Sequence, residues 1–306
     1  MKKKLPYLVF IFMVLPLVTV FSQKSPREKN TDGGFDFFFN AGMYLGNKKN
    51  ANYYRGYPDP LNSRYADPDI FYIIKNKYWW EEIQHIIDRN RKGIILSTLR
   101  FENPSEMKYE LAFSFGVGAR YRFSESFALS FLFSQARLTA HGQATFGAKS
   151  TGVNPDQEGR TYWDYSIIGK ERRNFFEMNI YYFFITNHPS IFPFLELGVH
   201  MNSVKVLSAD LEIEGVLFSM INNYGDVLYD PSISQTEINP NLGGVGYGFV
   251  GGLGIRLAFN KWAAIEPVVQ VGAEKLNLSS YGKIKLNYNF IIRLVVGDKV
   301  FKKQKE

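Results

Sequence analysis

From Met107 to Phe123 every odd-numbered position of this chain is apolar: Met107, Tyr109, Leu111, Phe113, Phe115, Val117, Ala119, Tyr121 and Phe123. The even positions are Lys108, Glu110, Ala112, Ser114, Gly116, Gly118, Arg120 and Arg122. A β-strand turns successive side chains to opposite faces, so the segment reads as a ribbon with one oily face and one small or charged face. Strands of soluble domains usually stop at about 5–6 residues, whereas crossing a bilayer core takes about 9–11 in a tilted strand. A ribbon this long, oily along one whole side, fits a membrane better than a sandwich core.

The pattern recurs. Gly243–Phe259 sets Val245, Tyr247, Phe249, Leu253, Ile255, Leu257 and Phe259 against a row of glycines and Arg256. Ile284, Leu286, Tyr288, Phe290, Ile292, Leu294 and Val296 alternate with residues that include Lys283, Lys285 and Arg293. Segments at 35–45, 176–184, 195–202 and 263–274 follow the same rule, with Pro267 as an awkward member that removes a ladder donor. In 127–144 the apolar parity switches from odd to even near Ser134–Gln135, which reads as a β-bulge. The connections at 124–126, 187–190 and 260–261 are very short; those at 47–106, 147–172 and 207–242 are long, and 279–282 is the one short exception. Short turns at one end and long loops at the other are the rule for outer-membrane barrels. The predicted fold is therefore all-β: an eight-stranded antiparallel up-and-down transmembrane β-barrel over residues 33–297. Phe35, Phe123, Phe127, Phe259 and Trp262 gather at the strand ends beside the short turns, where aromatics anchor a barrel at the interface.

The first outer loop, 47–106, is too long for a bare connection. Within Tyr78–Asn90, Trp79, Trp80, Ile83, Ile86 and Ile87 fall on one helical face and Glu81, Glu82, Asp88 and Arg89 on the other. Two readings stand: a helix packed over the barrel mouth, or a lid or contact surface presenting Trp79 and Trp80.

Lys2, Lys3 and Lys4 followed by the apolar run Leu5–Phe21 and the small Ser22 predict a signal peptide over residues 1–22, or else an uncleaved anchor. A periplasmic lead-in over 23–32 and a periplasmic tail over 298–306 complete the predicted domain plan. The net charge of +7 comes from 36 basic and 29 acidic residues. Without the three signal lysines it is 33 against 29, or +4. Lys302, Lys303 and Lys305 lie in the tail, so no basic stripe for nucleic acid is left. The absence of Cys excludes disulfides, thiolate metal sites, a Cys nucleophile and an N-terminal lipidated Cys.

By parity the inward acids are Asp36, Glu110, Glu177, Glu196, Glu266 and Glu274. The inward bases are Lys108, Arg120, Arg122, Arg137, Arg256, Lys283, Lys285 and Arg293. A barrel of eight strands is filled by its own side chains, and buried charges must be paired. The turn at 260–261 sets Arg256 opposite Glu266, with Arg293 one diagonal away. Arg120 and Glu196 are placed at similar depth, which predicts a lumen ion-pair network of Arg120, Glu196, Arg256, Glu266 and Arg293. His85, His141, His188 and His200 have no metal-ligand spacing. Ser134 with His141, inward by parity, is the one pair from which a hydrolase can be imagined. No catalytic residue, cofactor or metal is assigned.

An export signal, eight long dyad-repeat strands and a last strand ending near Val296 resemble the small outer-membrane barrels of the OmpA-type and OmpX-like porin superfamily. Such barrels often end on a terminal aromatic, whereas this chain runs on through 298–306 with Phe301 inside the tail. The resemblance implies a place in the outer membrane, contact with its lipid and lipopolysaccharide, insertion by the outer-membrane assembly machinery, and protein partners met through the outer loops. Three functions compete: a structural or surface-contact barrel, a lipid-modifying enzyme, and a narrow solute channel. A soluble periplasmic sandwich is the competing fold.

Overall fold

The computed structural model of the chain describes residues 34–55, 79–91, 93–101, 105–149, 160–220, 243–260, 262–278 and 283–297. The predicted signal peptide, lead-in and tail lie outside them. In chain order the strands are β1 (Gly34–Leu45), β2 (Arg100–Phe101), β3 (Lys108–Tyr109), β4 (Ala112–Arg122), β5 (Phe127–Lys149), β6 (Arg160–Phe183), β7 (Ile191–Ile213), β8 (Val216–Ser219), β9 (Gly243–Ala258), β10 (Ala263–Lys275) and β11 (Lys285–Gly297). Among the described residues two α-helices, α1 (Lys48–Ala51) and α2 (Trp79–Asn90), lie in the first outer loop.

The long strands close on themselves. Antiparallel pairing runs β1–β4–β5–β6–β7–β9–β10–β11, and β11 pairs back onto β1 with Phe39 opposite Leu294. No edge remains in that ring, so every ladder group within it can be paired without water. The chain is an eight-stranded up-and-down transmembrane barrel with a helical insertion in its first outer loop. Where the sequence placed Pro267, the β9–β10 ladder skips. Ile265 pairs with Leu257 and Val268 with Gly254, but nothing pairs between them.

Outside the lower half, large apolar side chains point away from the barrel. Phe113, Phe131, Ile180, Leu197, Phe249 and Ile292, one on each of six of the eight strands, are each more than half exposed. In a water-soluble domain such a belt would collapse inward; around a closed barrel it is the lipid face. At the short-turn end Phe35 stacks near Tyr121 (4.9 Å between ring centroids), Tyr121 near Phe123 (5.2 Å), and Phe127 near Tyr182 (5.1 Å).

Above this belt the pattern turns inside out. On β5 the even positions stay inward along the whole strand, but they change from Ser130, Leu132 and Ser134 to Ala136, Leu138, Ala140, Ala144 and Phe146, all buried. The register against β6 holds from Phe127 opposite Tyr182 to Lys149 opposite Arg160. The bulge expected near Ser134–Gln135 is therefore absent. What changes is the surroundings: outside becomes water, so Gln135, Arg137 and His141 face out, while the interior becomes an apolar core. Two register steps lie elsewhere. Pairing with β5 shifts by one residue between Tyr109 (opposite Ala140) and Ser114 (opposite Ala136), so the alternation of 107–123 is broken near Leu111. Met107 and Tyr109 turn inward there. The second step, between β6 and β7, leaves Leu207 unpaired, with Lys170 opposite Ser208 and Glu171 opposite Val206.

The strands also rise further than the sequence suggested, since residues 147–149, 160–172 and 207–213 are strand rather than loop. Their inner surface receives the first outer loop. Ile83 and Ile87 of α2 are wholly buried in a cluster with Tyr54, Met107, Phe146, Leu211 and Ile213, and Trp80 and Ile86 pack against it. Small inward residues on β5 make room for this insertion. At Gly169 on β6 there is no room even for a methyl group, because an added Cβ would fall within the Tyr54 ring. The side chain of Trp79 lies outside the described residues; Trp80 is half-buried on the core side of α2.

Candidate functional site: the charged lumen

Two layers of charge fill the tube. In the lower layer, pairing between β1 and β4 sets Asp36 opposite Arg120, and pairing between β10 and β11 sets Glu266 opposite Arg293. Arg120 grips Glu266 with two bonds, Nη2 to Oε1 at 2.6 Å and Nη1 to Oε2 at 3.1 Å, and reaches Asp36 at 3.3 Å. Arg256 bridges the same two acids, at 3.0 Å from Asp36 and 3.3 Å from Glu266. Arg293 contacts Glu266 at 3.3 Å and Glu196 at 3.2 Å, and donates from Nε to Asn40 Oδ1 at 3.1 Å. Arg122 caps Asp36 from below at 3.3 Å.

The five residues singled out from sequence are thus brought together, with two differences. Arg293 stands directly opposite Glu266 rather than on the diagonal, because the β10–β11 register pairs Glu274 with Lys285. Asp36, inward by parity but not among those five, is the network's second bridging acid. Aromatic rings line the guanidinium groups: Arg120 lies 5.0 Å from the Tyr181 ring and Arg293 4.9 Å from that of Phe38. Such contacts suit the weakly hydrated guanidinium better than an ammonium. Glycine also contributes at Gly252, where an added Cβ would sit 2.7 Å from Glu196 Oε1, so the carboxylate occupies the space of the missing side chain.

The upper layer centres on Arg173. It donates from Nε to Glu171 at 2.6 Å and from Nη1 to Glu274 at 3.0 Å and to the Tyr44 hydroxyl at 2.9 Å. Glu171 accepts from Tyr54 at 2.6 Å and from Tyr109 at 3.0 Å. Burial, with the Glu171 carboxylate beside it, holds the Tyr54 phenol well above its ordinary range, so it stays a donor. The side-chain pattern misses Glu171 and Arg173 because it puts 147–172 in a loop and begins the strand only at 176. The odd-numbered face of Glu177, Asn179 and Tyr181 continues straight up through them.

Between the layers lies a polar cavity of about 30 Å³, lined by Ser114, Ser134, Glu177, His200, Gln270 and Glu274, among others. That is the space of roughly one water molecule. His200 Nε2 points at Glu274 Oε2 from 3.4 Å, and no hydrogen bond joins it to Ser134 among the described residues. His141 is not inward as parity suggested: it is exposed on the outer wall, 3.2 Å from Glu110. Ser134 and His141 therefore occupy opposite faces of β5. Arg137 likewise faces out because β5 carries no bulge, and Lys108 and Glu110 face out because of the register step near Leu111. No group of three or more His, Asp or Glu side chains is set to hold a metal among the described residues.

No family model matches the chain, and no curated protein does. Among solved structures it is similar to Neisserial surface protein A, at 8% identity over 87% of this chain and 98% of that one, with a TM-score of 0.36. It is similar to the outer membrane protein OprG from Pseudomonas aeruginosa, at 9% identity over 88% and 97%, with a TM-score of 0.33. A third is Ail, the attachment invasion locus protein of Yersinia pestis, solved with the heparin analogue sucrose octasulfate, at 8% identity over 86% and 98%, with a TM-score of 0.32. All are small outer-membrane β-barrels. The closed ring itself rests on this chain's own strand pairing.

Proposed function

We propose that the protein is a structural, surface-contact barrel of the outer membrane: its lumen is sealed by charge pairing, and its specificity lies in the long outer loops. The observation that supports this is the filling of the lower lumen. Arg120, Glu266 and Arg293 are fully buried and cross-link β4, β10 and β11, and Asp36 and Glu196 extend the pairing to β1 and β7, five of the eight strands. A conducting pore needs a continuous wet path, and here the guanidinium groups span the bore. Above it the first outer loop fills the mouth with apolar side chains, so partners would meet loop surfaces rather than an opening. In this reading the chain is exported by residues 1–22, inserted by the outer-membrane assembly machinery, and carries no catalytic centre.

Conductance across a planar bilayer tests the reading. The purified, refolded chain is expected to give no unitary steps. Regular steps that survive at the wild-type sequence would replace this function with that of a narrow solute channel.

A further inference from the structure

Three rows of outward side chains on β5, β6 and β7 change character in order as they rise. The uppermost oily row is Phe133, Phe176 and Met201, paired across the three strands. The next is Gln135, Asn174 and Ser203, with Gln135 Nε2 donating to Asn174 Oδ1 at 2.7 Å. The third is Arg137, Arg172 and Lys205, in which Arg137 stands directly opposite Arg172 and Arg172 directly opposite Lys205. Lys170 is on the same outer face one row higher, opposite Thr139.

Like charges directly opposite each other on neighbouring strands repel. Among the described residues none of these four bases forms an ion pair, and Arg172 Nε is shielded from solvent without an acceptor. The nearest outward carboxylates on the three strands are higher, beginning with Asp210 opposite Ile168. Successive rows on one face are about 6.8 Å apart along a strand. In a strand tilted by about 40° the basic row is then roughly 10 Å above the last oily row. That is the depth order of a lipid: chain, interfacial linkage, charged headgroup.

We infer that Arg137, Arg172 and Lys205 form a docking site on the outer wall for the phosphate of an outer-leaflet lipid, whose acyl chains lie over Phe133, Phe176 and Met201. The occupant is a phosphate-bearing lipid rather than a soluble anion, because the bases are continuous with the lipid face and have no pocket of their own. The inference rests on the transmembrane reading, whose failure would show separately as a wild-type chain lacking heat-modifiable gel migration.

The test uses the full chain refolded in zwitterionic micelles, with the midpoint of heat conversion read from gel mobility. Bisphosphorylated lipid A is expected to raise that midpoint, and its dephosphorylated form to leave it unchanged. The triple variant Arg137→Gln, Arg172→Gln, Lys205→Gln should melt at or above the wild type without lipid, since repulsion is relieved, and below it with bisphosphorylated lipid A. This reversal of order is what a merely structural row would not give. Equal shifts in variant and wild type, equal shifts with the dephosphorylated lipid, or the full shift with inorganic phosphate alone would each overturn the site. Should the triple variant fail to fold, Lys205→Gln alone is expected to move the lipid titration midpoint about fivefold, and an unmoved midpoint would equally overturn it.

Discussion

The lower and upper halves of this barrel use one set of strands in opposite senses. On β5, Phe131 faces lipid while Ser130 on its other side is buried in the lumen; eight residues on, Thr139 faces water while Leu138 and Ala140 are buried inside. The register of β5 against β6 does not change between them. Only the solvent outside does. Binary pattern therefore reports the medium on each face, and a membrane protein that projects above its bilayer carries two patterns on one ribbon. The interiors differ accordingly. Below, fully buried arginines and acids cross-link strands far apart in sequence; above, an inserted helix is held mainly by apolar contact.

The largest expected effect breaks the lower half. Arg120→Ala leaves Glu266 and Asp36 buried with fewer partners, and unpairing a buried ion pair of this kind costs about 3–5 kcal/mol. Urea titration in lipid vesicles should show the whole barrel destabilised, with one transition. Ile83→Ala in α2 removes a wholly buried side chain and costs about 2–5 kcal/mol, but its effect should be local. Protease should cut the first outer loop faster while the urea midpoint of the barrel stays put. A shifted midpoint for Ile83→Ala would mean that the two halves unfold as one, and the contrast would fail.

A smaller pair of changes tests the outer face. Phe131→Arg places a charge in the lipid belt and should cost about 2–4 kcal/mol near the bilayer midplane. Gln143→Arg, on the same face of β5 but above the belt, should stay within about 0.5 kcal/mol. Equal penalties would remove the boundary drawn here between oily and wet wall.

How much of this was legible follows from the same contrast. Where both faces keep one medium, parity sufficed: it placed Arg120, Glu196, Arg256, Glu266 and Arg293 inside and Phe113, Phe249 and Ile292 outside. It fails where the medium changes, turning a change of solvent on β5 into a bulge that sends Arg137 and His141 inward, and it misses the register step near Leu111 that turns Glu110 out. Glu171 and Arg173 were lost because oily inward residues such as Tyr165 and Ile167 do not look like a membrane strand, so the rising part of β6 read as loop. The opposition of Glu266 and Arg293, rather than a diagonal, depends on a two-residue step of register at the last hairpin, which the side-chain pattern cannot fix because a shift by two leaves each face as it was.

The smallest effect concerns the clamp that holds the end of α2. Arg91 reaches Glu214 at 2.7 Å and lies 5.1 Å from the Trp163 ring, while the Tyr165 hydroxyl donates to Glu214 at 3.0 Å. Glu214 is positioned by the turn between β7 and β8, where its φ is +49°. The pair is partly exposed, so Arg91→Ala should loosen the helix by about 1 kcal/mol or less, read as faster amide exchange in α2 alone. Burial pushes the Tyr165 phenol up to about 12 from the ordinary 10.0. A raised folded-state value means that the neutral phenol's contribution is complete below pH 10 and is lost as pH rises towards 12. Exchange in α2 should therefore accelerate across that alkaline window, beyond its intrinsic rise, in the wild type and less so in Tyr165→Phe. If the lower strands accelerate in parallel, the clamp belongs to the whole barrel and the upper half is not the separate unit its packing describes.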